Sequence, residues 1–250
     1  MSRGVLVTGA CGGVGRAVAT AFAREGDRVA VHYSARRTEA EQTLAGLAGD
    51  GHALVSGDLS DPRQVADLAA AADTALGGVD VLVNNAAVVT AGYAVADADY
   101  EAWQRAWRET LDVNLLGAAN LSYCVARRLI DRGAGGAIVN VGSRGAYRGE
   151  PDAPAYGASK AGLHALGQSL AVSLAPHGIS VTSVAPGFIE TDRVAARLAG
   201  DGGAAVRAQS PYGRVATPEE VAAAVVYLAS PAARWSTGAV LDLNGASYLR

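Results

Sequence analysis

Seven short runs of the chain read as strands: GVLVT (4–8), RVAVHY (28–33), HALVSG (52–57), VDVLVN (79–84), AIVNVG (137–142), ISVTSV (179–184) and AVLDL (239–243). Each is rich in Val, Ile or Leu and shows little polar alternation. That pattern belongs to strands buried on both faces, as in a parallel sheet. Longer Ala- and Leu-rich segments lie between them, with helical character at 15–25, 38–48, 62–76 and 155–175. In the last, Leu163, Leu166, Leu170 and Leu174 recur at helical spacing. Asp61-Pro62 and Thr217-Pro218 each set an N-cap residue before a proline at the first helical position. Strand–helix alternation along the whole chain predicts an α/β fold, a doubly wound parallel sheet of about seven strands with helices on both faces.

Two stretches interrupt the rhythm. Residues 90–109 (TAGYAVADADYEAWQRAWRE) read as a longer connection before the next helix. Residues 187–214 follow a Pro-Gly pair, contain AGDGGAAV, and read as a long lid-like connection with Gly200, Gly202 and Gly203 as hinges. Neither marks a linker, so residues 1–250 are expected to form a single domain.

Composition narrows the function. The net charge is -3, and the Arg pairs at 36–37 and 127–128 stand alone, so no basic footprint for nucleic acid is present. No apolar run reaches membrane-spanning length, and MSRGVLVTGACGG lacks a signal-peptide core. Cys11 and Cys124 are far apart and form no CxxC, which speaks against a disulfide framework or a metal site. A cytoplasmic protein with no membrane association is expected.

The first candidate chemistry is TGACGGVG, residues 8–15, placed between the first strand and the first helix. Gly9, Gly13 and Gly15 allow a tight turn and close approach of backbone to a ligand. The helix beyond presents free N–H groups and a positive dipole end to a phosphate. In this strand–loop–helix setting a Rossmann-type nucleotide site is the natural reading.

The loop is T-G-x-x-x-G-x-G, and further motifs follow in order: Asp58 in GDLSD, NNAA at 84–87, Asn114 in LDVNLLG, Ser143 in VNVGS, Tyr156 and Lys160 in YGASK, Pro186-Gly187, then Thr191. Over essentially its whole length the chain resembles the short-chain dehydrogenase/reductase family, in particular 3-oxoacyl-reductase-like members. The resemblance implies a catalytic set of Asn114, Ser143, Tyr156 and Lys160. It also implies a nicotinamide dinucleotide held by Gly9, Cys11, Gly13, Val14, Gly15, Tyr33, Ser34, Arg36, Asp58, Leu59, Asn85, Ala86, Tyr156, Lys160, Pro186, Gly187, Ile189 and Thr191. Ala87 stands where the family usually has the glycine of N-N-A-G, and LDLNGASYLR departs from the usual D-G-G.

Lys160 is the sole lysine among 21 basic residues. It lies four residues after Tyr156, on the same helix face. A phenol titrates near ~10, and a fixed neighbouring cation favours its ionised form. Tyr156 can then exchange protons near neutrality. By resemblance, Ser143 holds the substrate oxygen, Lys160 also bonds the nicotinamide ribose, and Asn114 supports a water leading to solvent. Serine hydrolase chemistry lacks a nucleophile-elbow context.

At the end of the second strand, Tyr33 and Ser34 replace the acidic residue usual in NAD-preferring members, and Arg36-Arg37 follow. Guanidiniums there suit a 2′-phosphate, so NADP(H) is favoured over NAD(H); the alternative for Arg36-Arg37 is a solvated helix start. Many NADP-preferring relatives carry a basic residue in the loop where this chain has Gly12. Cys11 reads as a small filler or a redox-sensitive thiol. Arg144 reads as a contact for an anionic substrate or as a solvated charge, beside Tyr147, Arg148 and Glu150 in the loop expected to line the pocket. Trp103 and Trp107 read as core or subunit contact rather than a substrate platform. Phe188, Ile189, Val194 and Leu198 hint at a partly apolar substrate.

The expected activity is an NADPH-dependent reduction of ketones, of the 3-oxoacyl thioester or polyketide-like kind. Dehydrogenation of sugars, polyols or other secondary alcohols is the alternative, and a non-catalytic nucleotide sensor is the reading from another class. The resemblance also implies a homotetramer or homodimer.

Overall fold

The computed structural model describes residues 2–91 and 93–250. Met1 and Gly92, which fall in two of the stretches read above, lie outside the described residues, as do the side chains of Arg193, Ala196 and Arg197. The elements run β1 (Gly4–Val7), α1 (Gly13–Arg24), β2 (Arg28–Tyr33), α2 (Arg37–Ala45), β3 (Ala53–Ser56), α3 (Pro62–Leu76), β4 (Val81–Asn84), α4 (Tyr100–Leu111), α5 (Ala118–Asp131), β5 (Gly136–Val141), α6 (Gly145–Arg148), α7 (Pro154–Leu174), β6 (Ile179–Pro186), α8 (Asp192–Ala199), α9 (Gly203–Arg207), α10 (Pro218–Leu228) and β7 (Val240–Leu243). A π-helical turn, Asp112–Gly117, joins α4 to α5.

The strands form one seven-stranded sheet in the order β3-β2-β1-β4-β5-β6-β7, and every pairing is parallel. Alternation along each strand divides the core in two. Val5, Val7, Val29, Val31, Val81 and Val83 face α1 and α10, where Val18, Phe22, Val221 and Val225 complete one layer. Leu6, Ala30, Leu82, Ile138 and Val181 face the other way, onto Leu68 of α3, Leu121 and Leu129 of α5 and Leu174 of α7. Because both faces are covered, the strands are rich in Val, Ile and Leu, as their sequence implies, and the polar side chains they do carry, such as His32, Asn84, Asn140 and Thr182, are buried.

The chain leaves β1 toward β3 and then returns to the far side of β1 with β4. This reversal makes a crevice at the carboxyl ends of β1 and β4, the place where ligands bind in open α/β sheets. The helix starts follow their caps. Asp61 accepts from Arg63 N at 2.9 Å, and Thr217 with Glu220 forms a capping box at the start of α10.

Two expectations need correction. The 90–109 connection contains most of α4, whose start is capped by Asp99 accepting from Ala102 N at 2.8 Å. The apolar positions of α4, Trp103, Ala106, Trp107 and Leu111, recur at helical spacing, with charged residues on the opposite face. The 187–214 segment is no open loop, because it folds into α8 and α9. Gly203 opens α9 so close to the Leu198 carbonyl that a Cβ would not fit. It is a packed position rather than a loose hinge.

Candidate active site

The glycine loop occupies the crevice between β1 and β4. Gly9 takes a φ of +63°, a left-handed value that glycine adopts without steric cost. A Cβ on Gly15 would run into the Gly9 carbonyl and lie 2.6 Å from Asn85 Nδ2. Asn85 uses that space: its Nδ2 donates to Thr8 O at 2.8 Å and to Gly9 O at 3.3 Å. The Thr8 hydroxyl accepts from Asn85 N at 2.9 Å and Ala86 N at 3.0 Å, and donates to Val83 O at 3.2 Å. One hydroxyl thus uses its donor and both acceptor sites to join the ends of β1 and β4. Thr8 was not among the expected site residues, although the motif begins with it.

Helix α1 starts after Gly12 with no capping side chain and no acidic residue in its first turn. Its terminal N–H groups and positive end are left for an anion. The neighbours fit the same guest. Arg36 is exposed, and its Nη1 lies 3.8 Å from where a Cβ on Gly12 would be. Arg37 is engaged elsewhere, pairing with Glu41 at 2.8 Å. Thr191 lies over the loop, its Cγ2 3.2 Å from the position of a Cβ on Gly13. Cys11 is buried and Val14 packs against the same core layer, which agrees with a filler role for the cysteine.

Tyr33, half-buried, and Ser34, exposed, close β2 beside this loop. Asp58 follows β3 and accepts from Ser60 N at 2.9 Å and Ser60 Oγ at 2.7 Å. Leu59 is buried beside Gly117, its carbonyl oxygen 2.6 Å from where a Cβ on that glycine would be.

The second group converges on α7. Ser143 follows β5, and its Oγ accepts from Gly145 N at 3.0 Å. Tyr156 and Lys160 stand one helical turn apart. Lys160 is only 2% exposed; its Nζ donates to Val141 O at 2.8 Å and lies 5.8 Å from the centre of the Tyr156 ring. Asn114 is buried in the π-helical turn, a feature frequent at functional sites. Its Oδ1 accepts from Val88 N at 2.8 Å, and its Nδ2 donates to Val88 O at 2.9 Å and Ser159 Oγ at 3.1 Å. Ser159 in turn donates to Tyr156 O at 2.8 Å. Asn114 is therefore tied to the backbone of Tyr156 through a serine inside the YGASK motif.

Beyond β6, Pro186 O accepts from Arg144 N at 2.9 Å, and Gly187 N donates to Leu243 O at 3.1 Å. Ile189 forms an isolated bridge with Ala216. Arg144 is not the solvated charge that is one of its two expected roles. It is 6% exposed, stacks on the Phe188 ring with 5.0 Å to the centre, and donates to Gln209 Oε1 and Ser247 Oγ. Four segments distant in sequence meet at this side chain, so a reading of local sequence finds no signal for its burial.

A family model described as enoyl-(acyl carrier protein) reductase matches residues 9–245. L-rhamnose 1-dehydrogenase (NAD(P)(+)) from Sphingomonas sp. is 37% identical over 248 residues, covering 98% of this chain and 96% of that protein. The 3-oxoacyl-acyl-carrier-protein reductase FabG of Vibrio cholerae is 35% identical over 244 residues, with 98% and 96% covered. Nodulation protein G of Rhizobium sp. is 37% identical over 243 residues, with 97% and 96% covered. With the parallel sheet, the glycine loop at its crevice and these full-length likenesses, the chain belongs to the short-chain dehydrogenase/reductases and is an NAD(P)-dependent oxidoreductase of the alcohol–carbonyl kind.

Proposed function

We propose that the protein is an NADP(H)-dependent carbonyl reductase, acting on ketones of the 3-oxoacyl thioester or polyketide-like kind. The observation that carries this reading is the buried Lys160 ammonium beneath Tyr156, with Ser143 and the Asn114–Ser159 chain beside it. The residues around the crevice suit the dinucleotide: the uncapped start of α1 for the pyrophosphate, Asp58 and the Leu59 backbone for the adenine side, and Asn85, Ala86, Gly187, Ile189 and Thr191 for the nicotinamide side. Arg36 supports the choice of NADP, because it brings to Gly12 the positive charge that the loop itself lacks.

Bound there, the nicotinamide supplies a hydride to the carbonyl carbon in reduction and accepts one in the reverse reaction. Ser143 Oγ holds the carbonyl oxygen by hydrogen bond. The Tyr156 hydroxyl gives that oxygen its proton, leaving a phenolate that the Lys160 ammonium stabilises. Asn114, fixed by both of its amide atoms, supports the path by which Tyr156 regains a proton from solvent. Arg144 and Phe188 hold the turn after Ser143 against the base of the α8–α9 lid.

The likeness to an L-rhamnose dehydrogenase favours a second reading, oxidation of a sugar or other secondary alcohol by the same groups. As to assembly, a homotetramer or homodimer suits the apolar side chains left exposed at Leu116, Tyr123 and Val172 on one set of elements and Tyr227, Trp235 and Leu241 on another. Two free cysteines suit a reducing, cytoplasmic compartment.

The test follows nicotinamide absorbance with a short 3-oxoacyl thioester, and separately with L-rhamnose and NADP⁺, for the native enzyme and Tyr156→Phe. Loss of the phenol is expected to lower turnover by about 10²–10⁴-fold, the usual contribution of a general acid, with nucleotide affinity retained. Full activity in the variant removes Tyr156 from the chemistry.

A further inference from the structure

His32 takes no part in the proposed chemistry, yet it joins the two halves of the adenosine side of the crevice. It lies on β2, between the strands that end in the glycine loop and in Asp58, and is 2% exposed. Its Nδ1 accepts from Gly9 N at 3.1 Å, and its Nε2 lies 3.0 Å from Gly57 O. The two partners fix the tautomer. A backbone amide can only donate, so Nδ1 is the bare nitrogen; a carbonyl can only accept, so Nε2 carries the proton. The main chain of the same residue repeats the connection, since His32 O accepts from Ala10 N at 3.0 Å and Tyr33 O from Gly57 N at 3.2 Å.

We infer that His32 is a positioning residue of the dinucleotide site: its neutral ring sets the spacing between the glycine loop and the Asp58 segment, and through that spacing the affinity for the cofactor. This extends the dinucleotide placement proposed above and is independent of the choice between NADP and NAD and of the substrate. The ring acts only when neutral. A second proton must go to Nδ1, where it meets the Gly9 N–H head-on, donor against donor, and the loop loses its anchor. Burial lowers the His32 pKa below the ordinary 6.5; the Gly57 carbonyl and Asp58 favour protonation and offset part of that. The neighbouring elements contribute Asp58 after β3, Arg36 after β2 and Arg16 on α1 as charged groups. Arg16 is held by Cys11 O at 2.9 Å and Thr43 Oγ1 at 3.0 Å. Asp58 is the one whose field acts on the ring.

The sign follows from linkage. The bound state holds the ring neutral, so affinity is full above the ring's pKa in the free enzyme. As pH falls through that value, affinity drops by up to about tenfold per pH unit. Two substitutions separate anchor from proton. His32→Asn places Oδ1 near the position of Nδ1 and does not titrate; His32→Leu removes the acceptor and leaves the Gly9 N–H unsatisfied. The readout is nucleotide Kd by titration calorimetry from about pH 8 down to about pH 5, with KM for nucleotide and kcat at saturation. His32→Leu is expected to bind roughly tenfold more weakly at neutral pH, with kcat little changed. His32→Asn is expected to bind within about threefold of the native enzyme and to lose the acid limb. Long-range proton–nitrogen spectra of the native apoenzyme, in which His32 is one of four histidines, give the tautomer without any substitution. An Nδ1-protonated ring overturns the inference. So does a His32→Leu enzyme with native Kd and native pH profile, or an acid limb retained in His32→Asn. If Tyr156→Phe is inactive while His32→Leu binds normally, the functional reading stands and the role of His32 falls.

Discussion

Acidification from neutrality to about pH 4 should destabilise the protein in good part through His164, and the size of its share follows from its surroundings. His164 lies on α7 one turn beyond Lys160, is 3% exposed, and stacks on Tyr147 with ring centres 5.3 Å apart. Among the described residues, neither ring nitrogen has a hydrogen-bond partner of good geometry. The ring presses against Gly142, where a Cβ would run into Nε2, lie 2.7 Å from Cδ2 and stand 2.9 Å from Val184 O. Burial first, then the charges of Lys160 and Arg250, lower its pKa from 6.5 to about 4; the Val184 carbonyl and Asp242 oppose this only in part. The unfolded chain therefore takes up the proton more readily than the folded one. Stability is full above about 6.5 and is lost as pH falls toward about 4. At ~1.4 kcal/mol per pH unit, the separation between those values is worth about 3 kcal/mol. Carboxylates such as Glu220, held at about 2 by Arg214 and by the Thr217 amide, add their own losses only below about 4.5. The assay is urea unfolding at closely spaced pH values for the native protein and His164→Leu. The variant should lack the share of the decline that belongs to His164, while the buried His32, whose pKa is also lowered, keeps its own. Parallel pH profiles for the two proteins, or an imidazole that titrates near its ordinary value in the native state, would refute the reasoning.

Two further outcomes test other parts of the molecule. Arg36→Ala should raise the KM for NADPH roughly tenfold or more, as expected for a lost charge-assisted hydrogen bond, while leaving the KM for NADH unchanged; equal effects on both would remove Arg36 from phosphate recognition. Thr217→Ala dismantles the capping box of α10 and should cost about 1 kcal/mol, seen as a fall of ~3 °C in Tm with nucleotide affinity intact.

What the sequence reveals depends on how local the cause is. The strands are legible because a parallel sheet covered on both faces favours Val, Ile and Leu, and α3 and α10 because a capping residue and a proline mark their starts. Helix α4 is amphipathic, with Trp103, Ala106, Trp107 and Leu111 at helical spacing, so its period is present in the sequence, although the many charges between them (Glu101, Arg105, Arg108 and Glu109) suggest a connection. Trp103 and Trp107 do pack together, 5.6 Å between ring centres, but partly buried rather than deep in the core. The π-helical turn under Asn114 is a change of hydrogen-bond register with no residue signature of its own. For the candidate site, the motifs name side chains whose spacing along one element is informative, such as Tyr156 and Lys160. They contain Thr8 and Ser159 without giving them a role, and they leave out His32; all three act by reaching across strands or to a neighbouring helix. The partners of Thr8 and His32 are backbone groups, which every residue has, and the partner of Ser159 across the helices is Asn114, distant in sequence, so nothing local points to the pairings.

The use of cations in this chain follows the geometry of their acceptors. Several arginines take sites with more than one acceptor in a fork: Arg3 on Asp27 and Ala229 O, Arg132 on Asp73, Asp80 and Val79 O, Arg214 on both oxygens of Glu220. Even the buried Arg144 follows the rule, with its planar group on the face of Phe188 and its nitrogens divided between Gln209 and Ser247. Under Tyr156 the geometry is different. Lys160 is buried and donates to the carbonyl of Val141. A compact ammonium on a flexible stem reaches that carbonyl and sets its charge 5.8 Å from the centre of the Tyr156 ring. A guanidinium is planar and wider, and with five N–H donors to satisfy it is costlier to bury in the same place. The one lysine therefore stands where the chemistry calls for a point charge beside a phenol.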